Sequence, residues 1–181
     1  MAGSNDLLKR LTGGDRRSIG RSDEVAALVL KRPALFGTLI RGLRDSDPVV
    51  RMRAADAAEK ASLSRPELLK PFKKDLLRLA DESKEQELCW HLAQMTPRLL
   101  LTREERVGVT ATFRRYLESR SSIVRTCAMQ AIVDTAGQDK SLLRQARLLL
   151  RGSVRNGTAA MKARARKLLL QLEAHQLDPP H

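Results

Sequence analysis

The chain has 181 residues, 34 Lys and Arg against 21 Asp and Glu, a formal net charge of +13 and only five aromatic side chains. That length can bury a substantial interior, and a composition rich in Leu, Ala and Arg favours helices over strands. No apolar run approaches the ~18 residues of a membrane span, and residues 1–21 are charged with no apolar core, so no secretory signal is expected.

Taken in chain order, residues 6–11 suit a short helix, and residues 12–21, with Gly13, Gly14 and Gly20, form a loop. Residues 22–32 hold Val25, Leu28 and Val29, enough for one more helix. Residues 1–32 therefore read as an N-terminal helical cap. From Pro33 onward the chain repeats itself. Leu39, Leu76, Phe113 and Leu150 lie 37 residues apart, as do Leu35, Phe72, Val109 and Ala146, and Leu43, Ala80, Leu117 and Val154. Within each repeat these positions stand at i, i+4 and i+8, one face of a helix. A second amphipathic segment follows each time, opening at Val50, Leu88, Val124 and Met161. A fixed period of this size means stacked supersecondary units, here four helix pairs over residues 33–62, 65–99, 102–136 and 139–173, with a frayed tail at 174–181.

Helix boundaries are written into the sequence as well. Asp47 before Pro48 is an N-cap followed by a first-turn proline. Thr102 with Glu105 fits a capping box, and Ser121 or Ser122 and Thr158 suit the N-caps of later helices. Pro33 and Pro66 open the first helices of repeats one and two. Pro97 bends or shortens the last turn of a second helix, and Gly157 lies in the final turn between helices. Cys89 and Cys127 sit in different repeats with no pairing framework, so both are expected to be buried thiols in a reducing cytoplasm.

The stretch from Asp47 through Pro48, Val50, Arg51 and Ala54 to Ala58 resembles the HEAT-repeat signature of an Asp-Pro turn, Val-Arg and an Ala-rich second helix. Residues 122–131 resemble it again and residues 160–165 form a weaker copy, while the second repeat departs from it with Leu88-Cys89 in place of Val-Arg. The resemblance covers residues 33–173. It implies an all-α, right-handed α-α superhelix, a HEAT-like solenoid whose second helices line a concave face. It also implies that Arg51, Arg125 and Lys162, which recur at one repeat position, pair with an acidic or carbonyl group in a neighbouring turn. About function it implies little, because such arrays serve as scaffolds, adaptors, transport factors and a few enzymes.

Two sets of residues are candidates for binding. If the second helices line the concavity, a polar ladder forms its floor: Arg53, Asp56 and Lys60, then His91, Gln94 and Arg98, then Cys127, Gln130 and Asp134, then Arg164, Lys167 and Gln171. The competing reading of this ladder is an ordinary solvated face. The second set is a basic helix edge, Arg144, Arg147, Arg151 and Arg155 at i, i+3, i+7 and i+11, with Arg114, Arg115 and Arg120 before it. Nine basic residues and no acid fall between Lys140 and Lys167. Spaced arginines suit successive phosphates, whereas the scarcity of aromatics argues against stacking on single strands.

Signals for catalysis are poor. HEAT-like DNA glycosylases of alkylated bases use aromatic residues with a carboxylate, but Gln94 stands where Trp90 would need that carboxylate. HEAT hydroxylases use His-Glu pairs, but none of His91, His175 and His181 adjoins a Glu. There is no zinc spacing, and the turn Gly13-Gly14-Asp15-Arg16-Arg17 lacks the ending of a P-loop. The reading is a cytoplasmic, non-catalytic adaptor or scaffold that binds a protein partner on its concave face, with no cofactor, metal, membrane or small-molecule substrate. The alternative is binding of a nucleic-acid backbone through the basic C-terminal repeats, and a glycosylase stands third. Leu170, on the last helix, is expected to be exposed and to favour self-association.

Overall fold

The apolar periodicity is satisfied entirely by helices. The structure, a computed structural model, describes residues 3–14, 18–137 and 139–177. Among them lie ten α-helices: α1 (Gly3–Lys9), α2 (Ser22–Lys31), α3 (Phe36–Gly42), α4 (Pro48–Ser64), α5 (Lys73–Glu82), α6 (Gln86–Met95), α7 (Arg103–Tyr116), α8 (Ser122–Ala136), α9 (Lys140–Asn156) and α10 (Ala159–Leu177). No strand occurs among the described residues. Asp15, Arg16 and Arg17 of the glycine-rich turn, the end of the tail (178–181) with His181, and the side chain of His175 lie outside what is described.

The chain divides into two compact units, Met1–Leu100 and Leu101–His181. In the first, α4 packs against α2, α3 and α6, α5 packs on α6, and α1 on α3. In the second, α8 packs against α7, α9 and α10, and α10 against α9. Within each unit the apolar faces are thus buried against the partner helix and the adjacent helices of the same unit. Leu39, Leu76, Phe113 and Leu150, the column that defines the repeat, are all fully buried, as are Ala54, Leu92, Ala128 and Ala165 of the second helices. Burying a side chain of Leu or Phe size contributes about 1.5–3 kcal/mol. The alanines contribute less by area and more by letting helix axes approach. Gly42 serves the same end: a Cβ there would meet Leu8 at 2.7 Å and Ala54 at 2.9 Å.

The boundary residues do what their chemistry dictates. Asp47 accepts from the Val49 amide at 2.8 Å. Thr102 and Glu105 form the full capping box, and Ser121 caps α8. The Thr158 hydroxyl accepts from the Met161 amide at 3.4 Å. At Pro97 the α-helix gives way to a 3₁₀ turn over Thr96–Arg98. One expectation needs correction: the first helices of repeats one and two do not begin as α-helix. Residues Pro33–Leu35 and Pro66–Phe72 are 3₁₀. In the longer stretch Pro71 lacks an amide hydrogen and its ring crowds the preceding turn, so the α ladder cannot pass through it. Leu35 and Phe72 are accordingly only half-buried. The cysteines differ too. Cys89 is buried but Cys127 is half-exposed, and no disulfide joins them.

The described parts of the N-terminal loop converge on Arg53. Arg53 of α4 is 3% exposed. Its Nε donates to the Ser18 carbonyl at 3.0 Å, and its Nη1 donates to the carbonyls of Leu11 at 2.9 Å, Thr12 at 3.3 Å and Gly13 at 2.6 Å. Four main-chain acceptors converge on one planar guanidinium, an arrangement an ammonium cannot reproduce. Gly20 completes it, with φ +55° and an ideal Cβ only 2.7 Å from Arg53 Cζ. Arg53→Lys is expected to cost about 2–3 kcal/mol in urea unfolding. Amide exchange is the finer measurement, with the Leu11 and Thr12 amides losing protection while those of α8 keep theirs.

Candidate functional site

In the first unit the polar ladder, Gln94 apart, is spent on the fold. Asp56 is buried, accepts from the Ser22 hydroxyl at 2.5 Å and pairs with Lys60 at 2.7 Å. Lys60 reaches on to Asp23 of α2 at 2.5 Å. Its ammonium is held above the usual lysine value: burial opposes this, and its bonds to Asp23 and Asp56 outweigh the burial. Arg98 forms an ion pair with Glu59 of α4 and donates to the Glu59 carbonyl and the Ser62 hydroxyl, both at 2.8 Å. Arg51 behaves as its repeat position implies. It donates to the carbonyls of Asp45 at 2.6 Å and Ser46 at 3.0 Å, and forks onto Glu85 at 3.2 and 2.9 Å. Four of these contacts, Ser22 to Asp56, Arg51 to Glu85, Lys60 to Asp23 and Arg98 to Glu59, join residues 34 to 39 apart, about one repeat, and so tie neighbouring helices of the first unit together.

His91 of α6 belongs to the same polar seam. It is buried, its ring lies tilted 5.5 Å from that of Trp90, and its Nδ1 has no hydrogen-bond partner among the described residues. Burial pushes its imidazole below the usual histidine value. Asp56 and Glu59 of α4 and Glu87 of α6 pull the other way, and Lys60 adds to the lowering. The neutral ring is therefore the folded form. As pH falls below the ordinary value of 6.5, the unfolded chain takes up this proton first, so stability present above that pH is lost on the way down. Urea unfolding is expected to weaken by up to ~1.4 kcal/mol per pH unit in that window, and His91→Gln is expected to remove this part of the slope.

In the second unit the ladder is more open. Gln130 bonds to Asp134 at 2.8 Å and receives Arg164 at 3.4 Å, which links α8 to α10. Lys167, Asp134 and Gln171 are exposed. Gln94, back in the first unit, is exposed, and its amide donates only to the Trp90 carbonyl one turn back, at 3.4 Å. The structure thus brings Arg53, Asp56, His91 and Arg98 into packed contacts, while Gln94, Gln130, Arg164 and Lys167 remain at or near the surface. Arg125 and Lys162, grouped with Arg51 by repeat position, do not reproduce its bonding: the buried Nε of Arg125 has no partner among the described residues.

The basic edge of α9 is organised differently. Asp139 caps the helix, accepting from the amides of Ser141 at 2.9 Å and Leu142 at 3.0 Å. It also receives Arg103 of α7 at 3.1 Å. The Leu142 amide, then Arg103 and the Ser141 amide, hold its carboxyl below the usual aspartate value. Beyond that cap no acid occurs through Leu172. Leu142, Ala146, Leu150 and Ser153 face the interior, which leaves Lys140, Arg144, Arg151 and Arg155 exposed. Arg147 is half-buried and donates to the Leu172 carbonyl of α10 at 3.3 Å. None of the four arginines forms an ion pair with a described carboxylate. Lys140, Leu143, Arg144, Arg147, Leu148 and Arg151 line a shallow hollow of about 340 Å³. At 1.5 Å per residue, Arg144 to Arg155 spans ~16 Å of surface.

Sequence reasoning missed Leu148, which is 63% exposed in the middle of this edge. The helical wheel carries the signal, since Leu148 lies four residues after Arg144 and three before Arg151. It missed a second hollow as well, about 590 Å³ in the first unit beside Pro66, Lys70, Lys73 and Leu100. Its walls come from a 3₁₀ segment and a loop, which apolar periodicity does not register. Leu170 is exposed, as the pattern of α10 implies. No helix among the described residues is long and apolar enough to cross a membrane. No family model matches the sequence, and no curated protein matches it.

Proposed function

We propose that this chain is a non-catalytic binding module, a HEAT-like solenoid that holds the phosphate backbone of a duplex or structured nucleic acid along α9. The observation that carries this reading is the exposed edge of Arg144, Arg151 and Arg155 around a hollow, with no carboxylate from Lys140 to Leu172 to neutralise it. An ordinary solvated helix mixes charge signs. Electropositive surface without internal partners attracts polyanions and releases their counterions on binding. Contacts to phosphate alone carry no sequence information, so affinity is expected to be sensitive to salt and tolerant of sequence. The solenoid reading draws support from bonds that repeat at one-period separation within each unit and from second helices that pack on one another. A cytoplasmic setting fits two cysteines that form no disulfide with each other.

The adaptor reading draws less support. Arg53, Asp56 and His91, which would have floored a protein-binding groove, are buried and engaged in the fold. A glycosylase draws none from Gln94, whose amide turns back to its own helix.

Titration of a fluorescent RNA or DNA duplex tests the proposal. Three phosphate contacts give a slope near −3 in a plot of log affinity against log salt. Changing Arg144, Arg151 and Arg155 together to Glu is expected to abolish binding; Arg147 is left in place because it tethers α10. Undetectable binding of the unmodified protein at ~50 mM salt, or unchanged binding by the triple variant, overturns the reading.

A further inference from the structure

Gly152 lies in the interior of α9, and the fold gives no reason for it. A Cβ built there meets no heavy atom within 4 Å, in contrast to Gly42, where a Cβ would strike Leu8 and Ala54. No left-handed φ requires it either, since positive φ is confined to Gly13, Gly14, Gly20 and Gly137. A glycine in a helix interior is less stable than alanine because more backbone freedom is lost on folding. Neither crowding nor strain among the described residues accounts for Gly152 or for Gly108, so the reason for Gly152 is sought in its surroundings, which differ from those of Gly108.

Its surroundings say what that reason is. One turn back from Gly152 stands the exposed Leu148, one turn on stands the exposed Arg155, and Arg151 precedes it. The missing side chain leaves a notch beside the basic edge where the main chain of α9 is half-exposed. We propose that Gly152 is the point of closest approach of the bound sugar–phosphate backbone. The absent Cβ lets the strand lie against the helix, Arg151 and Arg155 reach its phosphate oxygens, and Leu148 covers the apolar face of a sugar. This inference rests on the reading of α9 as a phosphate-backbone site and adds the residue that sets how deeply the strand seats. Gly108 is its internal control. It too lies in a helix interior with open space at Cβ, but Glu104 and Glu105 stand one turn before it, and their carboxylates repel phosphate.

The experiment compares Gly152→Ala and Gly108→Ala with the unmodified chain, by thermal unfolding and by titration of a fluorescent RNA duplex. Both substitutions are expected to raise the melting temperature, by about 2–4 °C. Gly152→Ala is expected to weaken duplex binding about tenfold, and Gly108→Ala to leave it unchanged. Because the weakened variant is the more stable one, lost affinity cannot come from unfolding. Equal affinity of Gly152→Ala and the unmodified chain overturns the notch while leaving the backbone-binding reading intact, as does equal weakening by both glycine variants. A lower melting temperature for Gly152→Ala also overturns it, by locating the reason for the glycine inside the fold. Failure of the unmodified chain to bind duplex, or binding only to anionic phospholipid vesicles, overturns the underlying reading and this inference with it.

Discussion

Within each compact unit the amphipathic helices bury their apolar faces against one another, and that constraint shapes the rest. Leu39 and Leu150 leave water because the helices packed around them within their own units supply the other wall. The order of elements, the short connections and the alanine-rich second helices follow from that need. Polar bonds follow it as well. Ser22 to Asp56, Arg51 to Glu85 and Gln130 to Arg164 each reach 34 residues along the sequence, to the next pair and no farther. Cohesion is therefore local, and a loss at one joint is felt first by the two pairs that share it.

Such an architecture explains why the same side-chain type has different fates along the chain. On α4, Arg53 points at carbonyls of the N-terminal loop and Arg51 at a turn carboxylate, so each guanidinium is consumed in joining pieces of one unit. On α9, Arg144, Arg151 and Arg155 form no ion pair with a described carboxylate and are exposed. A buried arginine surrounded by acceptors positions backbone. An exposed run without acceptors creates a field. The distinction lies in the neighbours that the fold supplies and not in the residue.

That distinction also marks how far the sequence could be read. Column residues were legible because burial of Leu and Ala at period 37 has one physical interpretation, and Leu39, Leu76, Phe113 and Leu150 are all fully buried. Caps at Asp47, Thr102 and Ser121 were legible because their bonds are made within a few residues. The polar ladder was not, since polar side chains at a regular helical spacing look alike whether water or another helix covers them. Asp56 is buried because Ser22 of α2 supplies a partner from one repeat away, and His91 because α6 packs on α4, which no local pattern announces. Pro71 was on the page, but its power to hold Pro66–Phe72 in 3₁₀ form depends on the tight turn that precedes it. On α9 the arginine edge was legible from spacing alone, whereas Leu148 and Gly152 acquire meaning only once the buried side of the helix is known.

Arg53 has a consequence for how this protein looks to a distant charged molecule. Its guanidinium is counted in the formal total of +13, yet it sits among carbonyl dipoles with little outlet to solvent. Arg98 and Arg51, each matched by a glutamate, are muted in the same way. The tally of ionisable groups already sets Glu85 and Glu59 against Arg51 and Arg98, so pairing leaves it unchanged; residues 101–181 hold +8 of the total and residues 1–100 hold +5. On the proposed reading, a polyanion approaching through solution would be drawn first to the basic edge of α9, where no paired glutamate answers the arginines.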